Sequence, residues 1–443
     1  MQGPAPAQPL LPELAAILSP AASLETWSLA QIREVTRLLI EKGTFHFPTL
    51  PTGLFAAATS AADDFHLTGY QNVWVRDNVH VAHGHFLWGE TETAVRDVRA
   101  LLEFFATQQH RLADIIEGRV DPDEIQKRPH IRFNGLALAE NPELWSHAQN
   151  DALAYFLWLT AKLATTGQLP LTIEQAALLN EFPHYFQAID YTTDEDSGHW
   201  EEERKIEASS IGVVVAALKL WAVILDEHPE FRTAGRGATS ELCAALAHRG
   251  EMALEKILPN ECIQANVRKQ RAVDSALLFL IWPLQVTTQP MARSIVKNVI
   301  EQLAGPYGVK RYLGDSYWCA DYRTLVSAEK RSTDYSGSQE TRDKLLKRGY
   351  EAQWCLFDPI ISIIAGEWYR SHGQPEDLAL QKFHLERALS QLTQPDSRFG
   401  PYKCPESYFC EAGQYIPNDI TPLLWTQANL RLALHAMEQS LAS

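Results

Sequence analysis

The sequence predicts an all-α fold in which one layer of helices wraps another, and three observations carry that prediction. Apolar residues recur at three- and four-residue spacing along most of the chain, strand-like alternation is scarce, and the helical segments are of two kinds. The stretch TETAVRDVRALLEFFATQQ places Val95, Val98, Leu102 and Phe105 on one face with Arg and Asp between them, an amphipathic helix with one wet side. DALAYFLWLTAKLA, IGVVVAALKLWAVIL, SALLFLIW and LFDPIISIIAGEWY are apolar nearly all round and predict helices buried on every side. A double α-barrel accommodates both kinds. A helical solenoid would too, but the chain shows no fixed repeat period.

Residues 1–25 read as a flexible Pro/Ala-rich lead, and residues 26–443, without a sharp linker, as a single domain. Residues 117–145 and 312–349 are long polar connections, and connections of that length inside a compact domain usually carry function.

The 443 residues are 46% hydrophobic, with a formal net charge of −16 and no block of Lys and Arg, so nucleic acid and anionic membranes are excluded as partners. The N-terminus lacks the basic leading region of a signal peptide. The longest apolar run, residues 211–225, contains Lys219 and is shorter than the ~18 residues of a membrane span. Six scattered cysteines without a CxxC pair predict reduced thiols, and with them a cytoplasmic protein. The twelve tryptophans are many; a flat apolar face with a polar edge suits a sugar ring, although most buried Trp are core.

Four stretches set aromatic, carboxylate and basic groups at the mouths of buried helices. YQNVWVRDN holds Trp74, Arg76 and Asp77; a neighbouring Arg and Asp can donate to and accept from adjacent hydroxyls of one sugar, or Asp77 can simply cap a helix within a surface ion pair. LWSHAQNDALAYFLW holds Gln149, Asn150 and Asp151, where Asp151 is again a possible cap. SGHWEEERKIEASSIG puts Glu201, Glu202 and Glu203 after Trp200, and the helix dipole can account for all three if they occupy a first helical turn. YKCPESYFCEAG puts Glu406 after Pro405 in a loop, where helix capping gives it nothing.

Taken in this order, WVRDN, HAQNDALAYFLW, the Trp–Glu pair followed by IEASSIGVVVAAL, EAQWCLFDP and PESY…PLLWTQA resemble glycoside hydrolase family 15, the glucoamylases. They are closer still to the glucoamylase-like domain of phosphorylase kinase alpha and beta subunits. The resemblance runs from about residue 70 to the C-terminus and implies an (α/α)6 double barrel of the six-hairpin glycosidase type. It implies an inverting, exo-acting α-glucoside hydrolase on α-glucans or maltooligosaccharides, with Glu201 as general acid and Glu406 as the base that activates water. Arg76 and Asp77 would hold the terminal sugar, with Asp151, Trp74 and Trp200 in the matching sugar-binding stretches. Inversion then calls for carboxyls ~6.5–9.5 Å apart. Burial against Trp200 and like charge from Glu202 and Glu203 are both expected to raise the pKa of Glu201. The usual base motif has Gln after the glutamate; here Ser407 follows, a departure shared with the kinase-subunit domains, which implies a glycan-binding regulatory module as the alternative. Without the long C-terminal extension of those subunits, the chain reads as a free-standing domain.

No cofactor or metal is expected. His80 and His83 share a helix face without a carboxylate one turn away, Asp194–Gly198 lacks the bidentate Glu of a calcium loop, and there is no GxGxxG or GK[ST] to cradle a nucleotide.

Overall fold

A computed structural model of the chain describes residues 3–19, 27–59, 69–331 and 333–442. Among them the helices are α1 (Pro12–Leu18), α2 (Leu29–Glu41), α3 (Val75–Leu87), α4 (Thr91–Ile116), α5 (Asn150–Thr165), α6 (Ile173–Leu179), α7 (Glu181–Ala188) and α8 (Ala208–Glu227). They continue with α9 (Ser240–Ile257), α10 (Gln289–Leu303), the four-residue α11 (Tyr322–Leu325) and α12 (Glu340–Asp343), then α13 (Phe357–His372), α14 (Pro375–Ser390) and α15 (Leu424–Ala442).

Six elements close a ring. Helix α3 packs on α5, α5 on α8, α8 on the 3-10 helix Ser275–Leu280, that turn on α13, α13 on α15, and α15 back on α3. A second layer stands outside it: α4 against α3 and α5, α9 against α8, α10 behind the 3-10 turn, α14 on α13 and α2 on α15. This is the (α/α)6 barrel the two helix types predicted. In α5 and over residues 208–218 of α8 nearly every side chain is buried, because an inner helix meets protein on both flanks and across the ring. Helix α4 buries one face alone and keeps Arg and Glu outside.

Two expectations are corrected. The SALLFLIW segment forms a short 3-10 helix and turns rather than an α-helix, ending on the cis peptide bond Trp282–Pro283. A proline at 283 removes a backbone donor and cannot continue a helix. The turn also lies very close to α8: a Cβ added to Gly212 would meet Leu280 Cδ2 at 2.0 Å. In the Pro/Ala-rich lead, Pro12–Leu18 is a helix that buries Leu14 and Leu18, with Leu11 just before it, against α2. Residues 1–2 and 20–25 of that lead lie outside the described residues.

Helices α3, α5, α8, α13 and α15 all start at one end of the barrel, where two small antiparallel sheets sit. One is β1 (Val73–Trp74), β2 (Arg132–Asn134) and β3 (Ala139–Glu140). The other is β4 (Ala304–Gly305), β5 (Gly308–Val309), β6 (Gln353–Trp354), β7 (Ser407–Glu411) and β8 (Gln414–Pro417), in that order. Strand β1 runs straight into α3, and β6 precedes α13 by two residues, so the sheets fix where those helices begin. The positive ends of several helix dipoles converge at this end, and Asp77, Asp151 and Asp358 lie in the first turns of α3, α5 and α13.

Gly212→Val is expected to overpack the α8–turn contact and cost about 1–3 kcal/mol of stability, read as a lower urea midpoint with an unchanged slope.

Candidate active site

The helix N-termini and sheets line a pocket of about 90 Å³. Both Glu201 and Glu406 line it, together with Trp74, Arg76, Asp77 and Trp200. Four stretches separated by up to some 330 residues of chain therefore meet in one cavity.

Glu201 lies outside any α-helix. A 3-10 turn, Gly198–Trp200, ends at Glu201, whose backbone is left-handed at φ 58° and ψ 45°, and α8 starts only at Ala208. The helix-dipole account of the three glutamates is thus removed. A side-chain-bearing residue in the left-handed region costs on the order of 1–3 kcal/mol when the surroundings impose it. Here the surroundings do impose it: Arg76 Nη2 donates to Glu201 Oε1 at 3.0 Å, and Trp200 Nε1–H donates to Asp274 at 2.9 Å. Burial raises the pKa of Glu201, opposed chiefly by the Arg76 guanidinium.

The like-charge contribution expected from Glu202 and Glu203 does not materialise. Glu202 turns the opposite way, is fully buried, and is held by Arg342 at 2.6 Å, Arg311 at 3.0 Å, Arg271 at 3.2 Å and the hydroxyl of Tyr312 at 2.7 Å. These guanidinia hold its carboxyl far below the usual carboxylate range and absorb its charge. Glu203 is partly exposed, 4.0 Å from Arg268.

Glu406 precedes β7 and is pinned by its backbone: its N–H donates to Ile420 O at 2.9 Å and its C=O accepts from Cys355 N at 2.9 Å. Its Oε1 accepts from Tyr70 Oη at 2.8 Å and its Oε2 from Asn418 Nδ2 at 2.5 Å. Burial pushes its pKa up to about 7 against those two hydrogen bonds.

Arg76 is nearly inaccessible, and its guanidinium bridges Asp151 Oδ2 at 2.6 Å, Gln149 Oε1 at 3.1 Å and Glu201. Asp77 follows it into the pocket. The cap of α3 is Trp74, with no side-chain cap bond, so neither the capping role nor a surface ion pair describes Asp77. Burial raises its carboxyl to about 7, with Arg76 opposing. The expectation that Asp151 touches a sugar is corrected: it has no exposed surface and sits behind Arg76, which it aims. Nor does it cap α5; Asp196 Oδ2 accepts from Asn150 N at 2.9 Å there.

Trp74 offers the pocket an edge stiffened by Tyr70 at 5.0 Å and by Arg132, whose guanidinium lies between Trp74 and Trp145 at 5.0 and 4.2 Å from their rings. Trp200 is framed by Arg311 at 5.2 Å and by Phe357 edge-on. Half of the residues that reading for motifs missed come from the long connections: Trp145 from the first, and Tyr317, Arg331, Thr333, Tyr335 and Arg342 from the second. Loop length pointed to the segments without singling out these side chains.

The arrangement can present a buried, protonatable carboxyl and a hydrogen-bonded carboxylate to one guest, with an Arg–Asp pair to grip it. The profile described as Glycosyl hydrolases family 15 matches residues 39–341. A probable phosphorylase b kinase regulatory subunit alpha from Caenorhabditis elegans is 25% identical over 397 residues, covering 81% of this chain and 30% of that protein. The corresponding protein of Drosophila melanogaster is 25% identical over 297 residues, 60% of this chain and 22% of its own. The chain thus spans less than a third of these relatives' length. Among solved structures, a wild-type glycosidase superposes with a TM-score of 0.64 at 18% identity, covering 92% of this chain and 97% of that one. The glucoamylase of Saccharomycopsis fibuligera does so at 0.61 and 12% identity, covering 93% and 95%.

Glu202→Gln is expected to destabilise the fold by about 3–5 kcal/mol, because Arg342 loses its buried counter-charge. Chemical denaturation of the variant checks this.

Proposed function

The chain belongs to glycosyl hydrolase family 15, and from that premise we propose that it is an inverting, exo-acting α-glucoside hydrolase acting on the non-reducing ends of α-glucans or maltooligosaccharides. The observation that carries the reading is the convergence of Glu201 and Glu406 on one pocket beside Arg76 and Asp77.

The terminal glucosyl unit enters with its hydroxyls on Arg76 and Asp77. Glu201, protonated because burial disfavours its charge, gives its proton to the glycosidic oxygen as the bond from that oxygen to C1 breaks. Glu406 takes a proton from a water that attacks C1 on the opposite face, so an α-linkage yields β-glucose. The donors Tyr70 and Asn418 favour the ionised form of Glu406, which is the form a base needs. Asp151 acts one step back, by orienting Arg76.

A second reading is supported by the regulatory-subunit relatives and by Ser407 after the base: a glycan-binding module without turnover. Glucose release from maltooligosaccharides separates hydrolysis from binding alone.

Glu201→Gln keeps the shape and removes the proton, so maltose hydrolysis is expected to fall ~10²–10⁴-fold, while α-glucosyl fluoride, whose leaving group needs less protonation, loses less. Glu406→Gln impairs both substrates. If wild type binds maltooligosaccharides and releases no glucose, the regulatory reading replaces the hydrolytic one.

The pH profile supplies an independent check. The base must be ionised and its carboxyl titrates at about 7, so kcat/KM is expected to fall about tenfold per unit as pH drops below that value. A rate that stays flat from pH 7 to 5 contradicts Glu406 as the base.

A further inference from the structure

We infer that Glu207, Glu261 and Cys262 form a divalent-cation site, suited to zinc, directly beneath the turn that carries Glu201. The site departs from the sequence expectation of no metal and does not depend on the hydrolytic reading.

One ligand atom from each of the three residues lies within 4.8 Å of the others, and all three side chains are buried. Each glutamate has one oxygen engaged. Glu261 Oε1 accepts from Ser209 Oγ at 2.6 Å and from Ser209 N at 3.2 Å, and Glu207 Oε1 faces Lys205 Nζ at 3.4 Å. Glu261 Oε2 is buried and has no hydrogen-bond partner among the described residues. A buried carboxylate oxygen left without a partner costs free energy that a cation recovers.

The charge balance points the same way. Asp196, Glu207 and Glu261 share this neighbourhood with Lys205, whereas Arg271 is already occupied by Glu202 at 3.2 Å and Asp274 at 2.9 Å. A thiol beside two carboxylates favours zinc, which accepts sulfur and oxygen together, over calcium or magnesium, which take oxygen. Zinc–sulfur and zinc–oxygen bonds of about 2.3 and 2.0–2.2 Å set tetrahedral ligand atoms about 3.3–3.8 Å apart, which these three side chains reach by drawing inward. Binding sends the Cys262 thiol proton to solvent. Ser209 already orients Glu261 in the way outer partners orient metal ligands, and the isolated β-bridge Cys262–Arg271 holds the thiol in place.

Position gives the site its consequence. Gly198 has φ +51°, and a Cβ there would come within 1.4 Å of Glu207 Oε2. The turn bearing Glu201 therefore rests on this carboxylate, and a cation on Glu207 would tie the start of α8 to residues 261–262 below that turn.

The test is metal analysis of the full chain purified without chelator. About one zinc per chain is expected, with a melting temperature that falls by a few degrees on chelation and recovers with zinc. Cobalt(II) loading should give a thiolate-to-cobalt charge-transfer band that Cys262→Ser abolishes while its circular dichroism stays native. Absence of zinc with no zinc-dependent shift in melting, or cobalt bound without the thiolate band, overturns the site.

Discussion

The fully buried carboxylate of Glu202 is the constraint on which the pocket depends. It gathers Arg271 from the segment before the 3-10 turn, Arg311 and Tyr312 from the strand region beyond α10, and Arg342 from the long connection that walls the cavity. A buried charge of this kind contributes little net stability if its partners come with it and costs several kcal/mol if one is removed. Its value here is geometric. Glu202 is the residue after Glu201, so whatever holds Glu202 inward holds Glu201 outward. Four otherwise independent segments thereby share one fixed point with the carboxyl facing the guest.

Burial raises the pKa of both Glu201 and Glu406, but their neighbours differ. Glu406 receives a phenol and an amide donor and is locked through its own backbone between β6 and the chain leading into α15, so its charged form is solvated by fixed dipoles. Glu201 has the Arg76 guanidinium, much of whose charge is answered by Asp151, which moderates the pull toward ionisation. The inner helices open onto this same region with their positive ends, which is why acids in their first turns are tolerated under burial.

The fold was legible in the sequence because inner and outer helices obey different burial rules and leave different patterns; α4 and α8 are the clearest cases. The short 3-10 element was not, since apolar content does not distinguish α from 3-10 winding and only Pro283 hinted at a break. Of the site, the residues beside helix starts were legible: Arg76, Asp77 and Glu201 sit where an apolar run begins, and Glu406 stood out because a loop gave it no structural purpose. Asp151 was misplaced by one layer, because sequence shows that an acid begins a helix and not what stands in front of it. The inward turn of Glu202 was invisible for a similar reason. Its partners are spread over residues 271–342, and such pairings are created by ring closure rather than by any local pattern.

The left-handed backbone of Glu201 has a consequence for how this protein could evolve or be engineered. A glycine would relax that φ, yet it would add freedom to the unfolded chain and leave the buried Arg76 one counter-charge short. Backbone ease and the hold on Arg76 are thus opposed at a single position.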